Sequence, residues 1–178
     1  MRSGWFSSAT LVIAAASFPA VGDAEDWTVY LRRAGPVRIG MSLSEVRRVL
    51  KDPRAVLEGT TSDASPNECS YLRSNAVPEG LGFMFQNQRV VRIDVFEGRI
   101  RAASGGGIGD AEAKIKELYP GRISVEIHHY DPSGHYLNYS PSDPVDRRYG
   151  MVFETDGEKV TEFRTGTRDA IALVEGCS

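Results

Sequence analysis

The sequence predicts an α+β fold: two tandem helix-plus-four-stranded antiparallel sheet repeats, with the helices on one face and the other face open. Three observations predict it. Ile39-Gly40, followed by Val46, Val49 and Leu50, recurs 69 positions on as Ile108-Gly109, followed by Ile115, Leu118 and Tyr119. Gly82-Phe83-Met84-Phe85 matches Gly150-Met151-Val152-Phe153 at a displacement of 68, which also carries Asp94-Val95 onto Glu162-Phe163 and Gly98 onto Gly166; Tyr71-Leu72 meets Tyr136-Leu137 at 65. The matched blocks keep their order and their periodicity, helical in the first and alternating in the others, as a degenerate internal duplication does.

Residues 1–24 read as an export signal. Arg2 supplies the positive end, Ala9 to Phe18 the apolar stretch, and Pro19 breaks it before Ala20-Val21-Gly22-Asp23-Ala24, with cleavage after Gly22 or Ala24. The first cysteine is Cys69, so the thiol needed for N-terminal lipid attachment is missing. No run reaches the roughly 18 uninterrupted apolar residues of a membrane span. The mature chain is therefore expected to be secreted or periplasmic, without a membrane anchor.

The first repeat, 25–102, opens on an alternating Trp27-Val29-Leu31 run that reads as a strand with Trp27 in its core. Ser42-Leu43-Ser44-Glu45 has capping-box spacing, Met41 is placed to staple onto Val46, and Pro53 stops the helix. In the second repeat, 103–178, Asp110 is the expected N-cap and Pro120-Gly121 the stop. Gly105-Gly106-Gly107 before it lacks the Lys-Ser/Thr of a phosphate-binding loop and reads as a joint between repeats. Alternation then gives strands: Val91, Ile93 and Val95 oppose Arg92, Asp94 and Phe96, and Ile123, Val125 and Ile127 oppose Ser124, Glu126 and His128.

That register sets the candidate site. It turns Phe83, Phe85 and Leu72 inward and leaves Tyr71, Arg73, Arg92, Asp94 and Phe96 on the open side, joined from the second repeat by His128, Tyr130, Tyr136, Asn138 and Arg164. Tyr, Phe, Arg and His together have the composition of a protein-binding surface, and the same pairs also serve as ordinary cross-strand contacts of a solvated sheet. The segment from Tyr130 to Asp146, with Pro132, Pro141 and Pro144, reads as a rim beside it, either a recognition loop or an elongated hairpin.

Composition and the remaining motifs exclude more than they name. Twenty-one Lys and Arg against 24 Asp and Glu leave a net charge of -3, too balanced for a nucleic-acid partner. Two cysteines in an exported chain predict a Cys69–Cys177 bridge tying the C-terminus to the first half. No Gly-x-Ser-x-Gly elbow occurs and neither cysteine has a His nearby, so the chain reads as a non-enzyme without cofactor or metal. The competing reading is a metal-dependent hydrolase centred on His128, Asp131 and His135, although adjacent His128 and His129 point to opposite faces of a strand.

Gly35-Pro36-Val37-Arg38-Ile39-Gly40-Met41-Ser42, followed by Glu45-Val46 and a helix, resembles the repeat unit of the β-lactamase-inhibitory-protein-like superfamily, to which the small lipoprotein of the outer-membrane barrel-assembly machinery also belongs. The resemblance runs from about Gly35 to Glu175 and implies helices packed on a sheet with a concave open face. Inhibitor-type members carry a disulfide inside each repeat, which Cys69 and Cys177 cannot form, so inhibition is not carried over. The chain is also similar to uncharacterised exported bacterial proteins sharing Gly134 to Leu137 and Glu175 to Cys177. The expected partner is another protein, in the periplasm or outside the cell.

Overall fold

The computed structural model describes residues 26–58 and 69–177. The proposed export signal lies outside the described residues. The fold is mixed α+β, dominated by antiparallel strands. A small sheet of β1 (Val29–Tyr30), β2 (Arg33–Ala34) and β3 (Val37–Arg38) precedes helix α1 (Leu43–Leu50). An eight-stranded sheet follows, built from β4 (Val56–Leu57), β5 (Ser70–Arg73), β6 (Leu81–Gln86), β7 (Arg89–Val95), β8 (Ile123–Ile127), β9 (His135–Tyr139), β10 (Tyr149–Thr155) and β11 (Val160–Thr167). Its order is β4-β5-β6-β7-β11-β10-β9-β8, so the strands before α2 (Glu112–Leu118) fill one half and those after it the other, meeting at β7 and β11.

The α1 capping box forms as its spacing predicts. The Ser42 hydroxyl accepts from the Glu45 N–H at 3.4 Å, and the Glu45 carboxylate accepts from the Ser42 N–H at 2.8 Å. The helix ends at Lys51, whose φ of 53° is left-handed, two residues before Pro53. At α2 the expected cap is corrected. Ala111 holds the N-cap position without a side-chain bond, because Asp110 turns back to accept from the Gly107 N–H at 3.0 Å and pairs with Arg101 and Lys114.

Val46 and Leu50 from α1 and Ile115 from α2 pack on one face of the large sheet, against Phe83, Phe85, Ile93, Val95, Leu137, Phe153 and Phe163. Trp27 joins this core 6.4 Å from Phe83, and its segment forms part of the small sheet rather than the large one. The inward register of Phe83 and Phe85 is as expected. A bulge between Met84 and Phe85 and a two-residue turn at Asn87 and Gln88, both left-handed, close the β6–β7 hairpin.

The β10–β11 hairpin has the same register, residue for residue, 70 positions on: Leu81↔Val95 corresponds to Met151↔Thr165, Met84↔Arg92 to Glu154↔Glu162, and the bulge falls at Glu154/Thr155. Each hairpin is tied to its helix start by a bridge, Ser42↔Arg89 and Ala111↔Lys159. The sequence blocks match at a displacement of 68, the hairpin registers at one of 70. A slip of two residues leaves every side chain on its face, which is why the inside-outside assignment survived it.

The far face of the sheet is not bare. After β11 the chain forms one turn of helix, α3 (Arg168–Ile171), and runs to Cys177 across the sheet. Ile171 packs with Tyr136 and Val152 on that face. The expectation of an uncovered face is thus corrected for its centre: Arg92, Asp94, Tyr136 and Arg164 are buried beneath the chain's own C-terminal segment.

Candidate functional site

Beneath that segment a row of polar side chains crosses the sheet. The Tyr71 hydroxyl donates to Asp94 at 3.1 Å, and the Arg92 Nε donates to the other Asp94 oxygen at 2.6 Å. Arg92, 2% exposed, also donates to the Ala170 carbonyl at 3.1 Å and to that of Leu173. Arg164, 3% exposed and directly across from Asp94 in the β7–β11 ladder, donates to the Ile171 carbonyl at 2.8 Å and to Glu154 at 2.7 Å. Two buried guanidiniums thus hold the end of α3 through its carbonyls, those of Ala170 and Leu173 also accepting from the N–H groups of Leu173 and Gly176 at 3.3 and 3.4 Å. Burial and the neighbouring Asp94 charge push the Tyr71 hydroxyl upward, keeping it a donor.

His128 ends the row. Its Nδ1 accepts from the backbone N–H groups of Tyr130 and Asp131 at 3.1 and 3.0 Å, which leaves Nε2 to donate to Glu154 at 2.6 Å, and its ring stacks on Tyr136 at 4.7 Å. Glu154 and Glu162 face each other across β10 and β11. Burial works to raise Glu154, but hydrogen bonds from Arg164 and His128 hold its carboxyl below the usual range. Glu162 lacks such donors; burial first, then the Glu154 charge, push it up to about 6.

Where the cover ends, a groove of about 450 Å³ opens between the C-terminal segment and β8, β9 and β10; it shares Tyr136 and Arg164 with the strip and is walled by Glu126 and Ile127 of β8, Asn138 of β9, and Arg168 and Ala172 of the C-terminal segment, among others. Tyr130, 60% exposed, lines an adjoining depression of about 400 Å³ with His129, Ala172 and Val174, its hydroxyl donating to Glu175. The structure therefore brings His128, Tyr130, Tyr136, Asn138 and Arg164 together. Tyr71, Arg92 and Asp94 share their face but belong to the covered strip. Phe96, 46% exposed, lies beyond it with its ring 6.2 Å from Tyr71, and Arg73 is paired with Glu58 at the β5 edge, beside a depression of about 620 Å³ that it lines with Lys51, Pro53 and Val56.

The residues of the competing hydrolase reading do not converge. His135 lies on the helix face, where its Nδ1 meets Glu112 of α2 at 2.7 Å, while His128 lies on the far face with Glu154. Asp131 accepts from the N–H and hydroxyl of Ser133 within its own turn. Among the described residues no group of three or more His, Cys, Asp or Glu side chains is placed to hold a metal ion.

The bridge between Cys69 and Cys177 is present, with Cα atoms 5.2 Å apart and the two residues 108 positions apart in sequence. Among the described residues no helix is long and apolar enough to cross a membrane.

No family model, curated protein or solved structure matches this chain.

Sequence reasoning missed the covering role of the C-terminal segment, and with it Arg168, Ile171, Ala172 and Val174 as groove walls. One signal was available. A chain leaving β11 in the middle of the sheet can reach Cys69, at the start of β5, only by passing over β7 and β6.

Proposed function

We propose that this chain is an exported, non-catalytic protein-binding module built from two copies of a helix-plus-four-strand unit, and that it receives its partner in the groove of the far sheet face; the 130–146 segment, read from the sequence as a rim, instead supplies inner strand β9 to the groove floor. The duplication is supported by the shared hairpin registers, the matching helix-to-hairpin bridges and the mirrored strand order. On this reading the chain takes the tandem architecture of the β-lactamase-inhibitory-protein-like superfamily, with its own tail covering the centre of the surface that the tandem would leave open. Export is supported by the 108-position disulfide, which persists in oxidising compartments.

The groove itself carries the binding proposal. Its sheet floor has polar walls in Glu126, Asn138 and Arg168 and adjoins, across His129, Ala172 and Val174, the depression that exposed Tyr130 lines, the mixture of anchor and rim that protein partners use. A photoreactive residue placed at Ala172, in the groove, should crosslink to one predominant envelope protein, whereas the same group at exposed Arg48 on α1 should not. Combined Tyr130→Ala, Asn138→Ala and Arg168→Ala should abolish that crosslink. Equal labelling from both positions, or an unchanged crosslink in the triple variant, would reject the groove.

A further inference from the structure

Strand β8 is the outer strand of the sheet: it pairs with β9 on one side and with no described residue on the other. The parity of its hydrogen bonds is fixed at both ends. Ser140 donates to the Arg122 carbonyl at 3.0 Å and His128 to the Gly134 carbonyl at 2.9 Å, so the even-numbered residues of β8 bond to β9. Ile123, Val125 and Ile127 therefore turn their N–H and C=O groups outward, on the unpaired edge. Their side chains stand on the helix face, with Val125 46% and Ile127 72% exposed. Within β8 the edge holds no Pro, no Lys and no bulge, features that ordinarily keep such an edge from pairing; its one charge, Glu126, stands on the far face rather than among the three outward-bonding residues.

We infer that β8 is a self-association edge, and that two copies of this chain join antiparallel about a two-fold axis through Val125 to continue one sheet across both molecules. The register follows from the sequence of the strand. Centred on Val125, Ile123 lies opposite Ile127 of the second copy, Val125 opposite itself and Ser124 opposite Glu126, so the three outward residues of each copy form three mutually bonded pairs and no like charges face each other. Arg122 then lies diagonal to Glu126 of the second copy, within reach of a long side chain, and the symmetry makes this contact twice. Moving the axis to Glu126 would set two carboxylates directly opposite, and moving it to Ser124 would leave Ile127 facing Gly121. The Val125 axis is the one that uses the whole strand. This inference does not depend on the groove being a binding site.

Sedimentation velocity on the oxidised full-length chain, over roughly a hundredfold range of concentration, should show a monomer–dimer equilibrium. Hydrogen exchange read residue by residue should show Ile123, Val125 and Ile127 amides gaining protection as the dimer fills, while Ser124 and Glu126 amides, already in the ladder, change little. Val125→Pro removes an outward N–H, and Ile127→Lys places a charge on an exposed site; each should weaken association at least about tenfold, with a thermal midpoint equal to that of the wild type at concentrations where both are monomeric. Should the proline variant lose stability, the lysine variant still decides. A wild-type chain that stays monomeric with all three amides exchanging fast, as expected if the edge serves a strand of a different protein, would overturn the inference. So would a dimer that persists in Ile127→Lys. Tyr130→Ala with Asn138→Ala should leave the dimer intact, which separates this test from that of the groove.

Discussion

Replacing Arg92 by alanine tests whether the polar strip, rather than the disulfide alone, closes the C-terminal segment over the sheet. The side chain is 2% exposed and makes one contact to Asp94 and two to the carbonyls of Ala170 and Leu173. Removing one partner of a buried ion pair costs about 3–5 kcal/mol, because the other charge stays behind without compensation. The Ala170 and Leu173 carbonyls each lose one donor but keep the N–H groups of Leu173 and Gly176, so neither is left unsatisfied. Asp94 keeps its bond from Tyr71 and both carbonyls keep a backbone donor, so the expected loss stays within the ion-pair figure, about 4 kcal/mol. Urea unfolding gives this number, and hydrogen exchange at residues 168–177 should show the tail opening before the rest of the sheet. Arg92→Ala with Asp94→Ala should cost less than the two single losses added, by about 1–3 kcal/mol, since the double variant leaves no buried charge unpaired. A single-variant loss below about 1 kcal/mol, the level of a surface pair, would refute the reasoning, as would strict additivity of the two.

Three other outcomes are expected. Cys177→Ser, compared with wild type by urea unfolding, should cost about 2–5 kcal/mol and speed exchange of the tail while far-ultraviolet circular dichroism stays the same. Glu162 is raised from its ordinary 4.5 to about 6, so its folded form holds a proton more tightly: its contribution is favourable below 4.5 and lost as pH rises through about 6. Glu162→Gln, which also removes the repulsion with the opposed Glu154, should therefore stabilise by about 0.5 kcal/mol near pH 8 and by nothing near pH ~4, read from paired thermal melts. Gly166→Ala would set a Cβ 2.3 Å from the Val91 carbonyl oxygen and 2.8 Å from the Arg92 Cα, so the central β7–β11 pair must part; a loss of about 1–3 kcal/mol in chemical denaturation is expected, and an unchanged midpoint would contradict that packing.

The sequence by itself determined what depends on near neighbours. Ser42 and Glu45 meet across one helical turn, so their spacing was sufficient to place the start of α1. Alternation likewise put Tyr71, Arg92, Asp94, Tyr136 and Arg164 on one face and Phe83 and Phe85 on the other, because a strand reverses its side chains at every residue whatever lies above it. The cysteine pair was legible from its number and setting.

Tertiary structure decided what covers that face. The acceptors of Arg92 and Arg164 are backbone carbonyls of Ala170, Ile171 and Leu173, 7 to 81 positions away, and a carbonyl is the same group in every residue, so no side-chain pattern announces it. Asp110 failed as a predicted cap for a related reason: its carboxylate chose between two nearby N–H groups, and the Arg101 and Lys114 charges brought close by the fold drew it to the earlier one. Composition could propose a face rich in Tyr and Arg. Whether that face met a partner or the chain's own tail was settled by where β11 ends, in the middle of the sheet, three strands from the cysteine that its tail must reach.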